Sequence, residues 1–369
     1  MAVWRSEWCA QDGSPEGLRA ALAFKPSDAA KWRRLGVLLL QKNPNASAAA
    51  FHRAIELNPY EADALVGLAL HAEAEQDMAA AESFYIRATE ASRRFRPRYA
   101  LAAFYARRNR FPELWRTAAA AAAIDRADVG RIVRLARDAG ADPDSIPSLL
   151  ELRTEHALAA YLPIAIAENR LKPLAQIATL LPVTPEHRPA LVHSCEHLIE
   201  AGEADAAVAV WNRLRVFEKL DATSGRSLTN GRFAYEKVRG FNWRHDPLAG
   251  VDLRPAPGGL RIELSGGQPE HAVLLEQIAP VLGGRAYRFT VQADIAQLAA
   301  TAGLSWRIEC APSREALASA PLAATTSVPF STLPTCTLAR LMLEYNRQPG
   351  TVRIAGLLDL LAAKLELLP

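Results

Sequence analysis

The chain has 369 residues, half of them hydrophobic and 22% charged, with a formal net charge of +3. That length suits about two domains of ~150 residues each, and the composition is that of an ordinary globular protein. So small an excess of positive charge gives no reason to expect nucleic acid. No apolar run approaches the ~18 residues that a membrane-spanning helix needs.

The first residues, Met1 to Asp12, lack the apolar core of a signal peptide, because Trp4, Glu7 and Asp12 interrupt it. As written the chain is expected to be cytoplasmic, and periplasmic or secreted if an upstream segment is missing. The four cysteines, Cys9, Cys195, Cys310 and Cys336, form no CxxC motif and no Cys/His cluster of zinc spacing. The stretch HSCEH puts His193 and His197 four residues apart, on one face of a helix, but supplies no third ligand. No metal site is expected. Cys310 and Cys336 could pair across strands, yet buried free thiols are the expectation for a cytosolic chain.

From the N-terminus the pattern is helical and repeated. Trp32, Leu35, Gly36, Leu39, Ala48, Phe51, Ala54 and Pro59 form one copy, and Leu65, Leu68, Ala69, Ala81, Tyr85 and Ala88 a second. Tyr99, Ala102, Ala103, Trp115 and Ala122 form a third. Small residues let paired helices approach, and large ones fill the gaps between neighbouring pairs, which must stack to bury their apolar faces. The order and spacing resemble the tetratricopeptide repeat, whose period of about 34 residues separates Leu65 from Tyr99. After Asp125 the repeat degrades. Helices are expected over Asp128 to Ala139, Glu155 to Arg170, Lys172 to Leu181, Pro185 to Ala201 and Glu203 to Phe217.

Arginines crowd the second and third copies. Arg94, Arg98, Arg107 and Arg108 are the candidate partner surface of the helical half, suited to an acidic peptide or polysaccharide. No base-stacking aromatics are interleaved with them, so nucleic acid is not expected.

From Leu260 the apolar period falls to two. LRIEL, YRFTVQA, LSWRIEC, LARLMLEY and TVRIAGL alternate as half-buried strands do. Turn signals such as PAPGG, SGGQP and RQPG separate them. About eight short strands make an antiparallel sandwich or jelly roll the expected architecture. Tyr287, Phe289, Val291, Leu304, Trp306 and Ile308 read as core, and so does Trp243. Their neighbours Arg288, Gln292, Arg307, Glu309, Arg340 and Glu344 read as one polar face. With Gln277 they are the candidate contacts for a glycan or a partner protein.

Asn230-Gly231-Arg232-Phe233 followed by Gly240-Phe241-Asn242-Trp243 resembles the opening of jelly-roll carbohydrate-binding modules. The resemblance continues through Leu260-Arg261-Ile262, Leu275-Glu276-Gln277, Gly284-Arg285-Ala286-Tyr287, Trp306 and Asp359. The combination of both halves is similar to tetratricopeptide proteins of soil bacteria associated with exopolysaccharide gene clusters. It implies a scaffold whose solenoid binds a protein partner and whose sandwich binds glycan or protein.

No phosphate loop, GxSxG or HExxH motif is present. The chain is expected not to be an enzyme and to use no cofactor. The overall expectation is an α+β multidomain protein: an α-solenoid over 1–226, a linker Asp221 to Arg226, and a β-sandwich over 227–369. The alternatives are a purely structural assembly protein, whose sandwich docks on its own solenoid with the charged face buried, and a glycan-active enzyme.

Overall fold

The computed structural model describes the whole chain except residues 1–5, 8–12, 125–127 and 235–237. Cys9, most of the stretch from Met1 to Asp12 and Asp125 lie outside the described residues. Two compact units result, Met1–Tyr161 and Leu162–Pro369. The first is built from α1 (Pro15–Phe24), α2 (Ala29–Leu39), α3 (Pro44–Leu57), α4 (Ala62–Ala74), α5 (Met78–Ala91), α6 (Phe95–Arg107), α7 (Phe111–Ala122), α8 (Val129–Asp138) and the single turn α9 (Ile146–Leu149). The turn α9 falls where GADPDSIP suggested only a stop. The chain crosses the division within α10 (Glu155–Ala167), and α11 (Leu171–Leu180), α12 (Arg188–Glu200) and α13 (Ala204–Leu214) follow.

Helix starts are set by side-chain acceptors. Asp28, Asn43, Asp77 and Asp128 each accept a hydrogen bond from a first-turn backbone amide of α2, α3, α5 and α8, satisfying a donor the helix leaves unpaired. Packing follows the repeat. The Phe51 ring lies between Gly36 and Gly67, and a Cβ on Gly36 would come within 2.5 Å of that ring. Gly67 makes the same close approach from the next helix and was not part of the sequence pattern. Leu65, Ala69, Ala81, Tyr85 and Ala88 are buried as the repeat requires.

Downstream of a short turn at Ala222–Ser224 the regular elements among the described residues are strands: β1 (Val251–Ala256), β2 (Gly259–Ser265), β3 (His271–Pro280), β4 (Ala286–Asp294), β5 (Leu304–Ala311), β6 (Glu315–Pro321), β7 (Thr325–Ser331), β8 (Leu338–Asn346) and β9 (Ala355–Leu367). A five-stranded sheet runs β1-β2-β9-β4-β7 and a four-stranded sheet β3-β8-β5-β6, with antiparallel pairing throughout. Their inner faces share one core, in which Ile262, Phe289, Trp306, Leu341 and Leu358 are fully buried. The molecule is thus α+β: helix pairs followed by an antiparallel two-sheet sandwich.

Element type changes between Leu214 and Val251, whereas the compact units divide at Tyr161. The helices α11, α12 and α13 therefore belong with the sheets. The expected linker is a closed turn: Asp221 and Arg226 form a backbone bridge, and Asp221 Oδ1 accepts from Thr223 N at 3.1 Å.

The expectation of free thiols is corrected at one pair. Cys310 and Cys336 form a disulfide, with Cα atoms 5.7 Å apart. Cys310 lies near the end of β5, opposite Ala339 of β8, and Cys336 lies just before β8, so the fold itself brings the two sulfurs together.

Candidate functional site

The lead-in segment from Ser227 to Arg244 organises the sandwich. Asn230 takes a left-handed φ of 49° and serves as a hub. Its Oδ1 accepts from Ala234 N at 2.7 Å, its Nδ2 donates to Ala234 O and Asn242 Oδ1 at 2.9 Å, and its carbonyl accepts from Trp243 Nε1 at 3.0 Å. Gly231 O accepts from Ala363 N of β9 at 2.6 Å. A Cβ on Gly231 would lie 2.6 Å from Ala363 O, so only glycine permits this approach. The Phe233 and Trp243 rings pack tilted at 4.8 Å, and Trp243 meets Trp306 edge-on at 5.9 Å inside the core. Arg244 pairs with Glu276 through two backbone hydrogen bonds, extending the edge of β3. The segment therefore bridges from one sheet to the other.

Where it crosses onto β9 it walls a cleft of about 620 Å³. Arg232 and the Asn230-Gly231 backbone form one wall. Thr290 and Gln292 of β4, with Lys364 and Glu366 of β9, form the floor. Thr290 stands directly opposite Lys364 across the ladder, and Gln292 opposite Ala362. Phe217 and Glu218 close the third side. An ion pair with Lys364 holds the Glu366 carboxyl below its usual range, with the Lys364 hydrogen bond as the main cause. Glu218 accepts from Asn230 N at 3.3 Å. The cleft presents an amide, a guanidinium, a hydroxyl, an ammonium and two carboxylates around one aromatic ring. Such a mixture of donors and acceptors suits a hydroxylated ligand.

The residues read from the sequence as one polar face lie on two. Arg288 and Gln292 project from the outer face of the five-stranded sheet, and Arg288 stands opposite Glu366 beside the cleft. Arg307, Glu309, Arg340 and Glu344 belong to the four-stranded sheet. Alternation tells inside from outside along a strand, but not which sheet a strand joins. On the four-stranded sheet the charges satisfy one another. Glu276 accepts from Arg244 at 2.7 Å and from Arg340 at 2.6 Å, while Arg307 pairs with Glu309 at 2.6 Å and reaches Glu344 at 4.0 Å. The three carboxylates are mostly covered, and their neighbour Met342 is buried.

Gln277 is corrected outright as a surface contact, for it is fully buried. It points to the same side as its ladder partner Leu341, and its amide donates to Thr229 O at 3.0 Å and Phe241 O at 2.7 Å. It ties the lead-in segment to β3. Sequence reading missed Arg232, beside the Asn-Gly turn, and also Lys364 and Glu366, which lie beyond the alternating stretches.

In the first unit, three of the crowded arginines, Arg96, Arg107 and Arg110, staple neighbouring helix pairs. Arg107 makes a bidentate pair with Glu73 at 2.7 and 2.8 Å, across 34 residues, the repeat length. Arg110 joins Glu82 and Glu113, and Arg96 joins Asp63. Arg98 donates to Ser92 O at 3.0 Å. Arg94 and Arg108 remain exposed, with no ion pair among the described residues. Sequence crowding did not reveal the acids that neutralise Arg107, because they lie a repeat away.

The HSCEH residues also have structural surroundings. The Cys195 thiol is buried against Ala207 O, with its pKa pushed up by that burial, and His197 Nε2 lies 3.0 Å from Asn169 Oδ1. Among the described residues no three His, Cys, Asp or Glu side chains are grouped as a metal would need, and no helix is long and apolar enough to cross a membrane.

No family model matches the chain. A cellulose synthase 2 operon protein C of Komagataeibacter xylinus is 36% identical over 93 residues, 23% of this chain and 7% of that protein. The chain thus spans a small fraction of the length of this curated relative. Among solved structures, YrrB, described as a tetratricopeptide-repeat protein with an unusual peptide-binding site, aligns over 55% of this chain and 92% of its own, with 14% identity and a TM-score of 0.28. The PilF protein of Pseudomonas aeruginosa aligns over 49% of this chain and 88% of its own, with 18% identity and a TM-score of 0.29.

Proposed function

We propose that the chain is a non-catalytic scaffold in the synthesis or export of an exopolysaccharide, with helix pairs that hold a protein partner and a sandwich that binds glycan. The cleft between the Asn230 loop and the β4-β9 floor carries the glycan half of this reading. Its volume of about 620 Å³ lies within the usual range for small-ligand sites. Its carboxylates already serve Asn230 and Lys364, which favours holding a ligand over turning it over. The similarity to a cellulose synthase operon protein points to a glucan. Calorimetric titration of the full chain with soluble β-glucan oligomers should show binding. Gln292→Ala should weaken it about tenfold, the effect of removing one well-placed hydrogen-bonding group. Absence of heat with these oligomers and with acidic glycans would remove the glycan half.

A second reading, structural assembly, has its own observation. In the second unit Trp211 of α13 packs edge-on against Phe241 at 6.1 Å, and Gly240 sits where any Cβ would strike the Trp211 ring. Helix and lead-in segment are fitted to each other, and the charged face of the four-stranded sheet is self-paired. On this reading Gln292→Ala changes neither binding nor assembly, whereas Phe241→Ala lowers the melting temperature.

A further inference from the structure

Three arginines, Arg188, Arg213 and Arg215, and no carboxylate among the described residues, line a cleft of about 540 Å³ at the carboxyl end of α13. Arg188 Nη2 donates to Leu214 O at 3.0 Å. Arg213 Nη1 and Nη2 donate to Ala178 O at 2.6 Å and Leu181 O at 2.8 Å. These acceptors are backbone carbonyls at helix ends, which carry partial charge only. The bonds therefore fix both side chains while leaving their positive charges largely uncompensated. Each guanidinium has five N–H donors, so donors remain for a ligand. Arg215 joins them from a left-handed position, φ 50° and ψ 44°, exposed and with no ion pair among the described residues. Elsewhere in this unit Arg244, Arg254, Arg261, Arg307 and Arg340 each meet a carboxylate, whereas here three arginines without one share a single cleft.

A second feature narrows the ligand. Val183 lines the cleft and is 37% exposed, and Leu180, next to the Leu181 carbonyl that Arg213 holds, is 54% exposed. Apolar side chains left open beside unpaired arginines call for a ligand that brings both carboxylates and an aliphatic group. A uronate polymer or an inorganic anion would match the charge and leave Leu180 and Val183 in water.

We infer that this cleft docks an acidic peptide segment carrying an aliphatic side chain, with its carboxylates on Arg188, Arg213 and Arg215 and its aliphatic group on Leu180 and Val183. This site is separate from the glycan cleft, and its test does not depend on that reading.

The test is fluorescence polarisation of the full chain with a labelled peptide of glutamates around one central leucine. Binding should appear, weaken with added salt, and fall about tenfold in Arg215→Glu, a charge reversal at an exposed position that supports no packing. Leu180→Ser should weaken the leucine peptide and leave an all-glutamate peptide unchanged. Circular dichroism melts would confirm that both variants stay folded. Equal binding by wild type and Arg215→Glu would overturn the proposal. So would equal binding of the two peptides to wild type, or tighter binding of a uronate oligomer than of the leucine peptide.

Discussion

At the scale of single residues, two positions carry contrasting lessons. Gly231 is needed because a Cβ there would press on Ala363 O, 2.6 Å away, not because of its backbone angles. Gly231→Ala should cost about 1–3 kcal/mol, typical of a steric clash against backbone, and should weaken the proposed glycan binding by displacing the cleft wall. Urea denaturation checks the first effect, and an unchanged midpoint would show that the loop yields freely. Glu73 shows electrostatics overcoming burial. Desolvation pushes its pKa up, but the hydrogen bonds and charge of Arg107 outweigh it and hold the carboxyl below its ordinary 4.5. A depressed folded value means the carboxylate stabilises the fold above the unfolded pKa. That contribution is lost as pH falls through the folded value. Glu73→Gln should therefore lower stability at neutral pH and flatten the acid limb of the unfolding profile below about pH 4.5. Circular dichroism across that range would show it. Parallel curves for the variant and wild type would mean the pair is solvent-screened to no effect.

At the scale of elements, the lead-in segment is held as firmly as a strand without being one. Gln277 supplies it with hydrogen bonds to Thr229 O, Thr229 Oγ1 and Phe241 O. Gln277→Leu keeps the volume and strands the buried Thr229 carbonyl, while Phe241 O keeps the Thr229 hydroxyl as a donor, for an expected loss of about 1–3 kcal/mol. The melting transition measures it, and a loss under about 0.5 kcal/mol, the scale of an ordinary surface change, would mean the segment does not depend on that amide. Strand β9 marks the limit of reading elements from sequence. AGLLDLLAAKLEL has the composition of a helix, yet it pairs with β2 on one side and β4 on the other. Two ladders outweigh a propensity difference of a few tenths of a kcal/mol per residue. Lys364 and Glu366 lie in this strand, beyond the alternating stretches that marked the others. By contrast, the alternation of YRFTVQA and LSWRIEC was legible, because burial of every second residue leaves a period-two record: Tyr287, Phe289, Trp306 and Ile308 are all fully buried.

At the scale of the molecule, the informative boundary is the one between compact units. The fragment 162–369 retains Trp211 against Phe241, Glu196 near Arg239 and Glu218 on Asn230. A fragment beginning at Ser227 lacks all three. The longer fragment should express as a cooperatively melting protein, and the shorter one should melt lower or aggregate through the exposed Phe241. Equal melting temperatures would return the domain boundary to residue 226.

The sequence by itself determined the helix pairs, the change to strands and the inward set of the sandwich. Each of these is a local period, written by which neighbours must share a buried face. It also marked Asn230-Gly231, because a left-handed turn and a close backbone approach both restrict residue type. Only the tertiary structure decided which strands share a sheet, so that Gln292 came to a cleft and Arg340 to a neutralised ion network. It alone showed that Arg107 is spoken for by Glu73, and that Arg188, Arg213 and Arg215 are not met by any carboxylate among the described residues. Charge neutralisation acts through space over a few ångströms, and the residues beside an arginine in sequence do not record a partner that lies a whole repeat away.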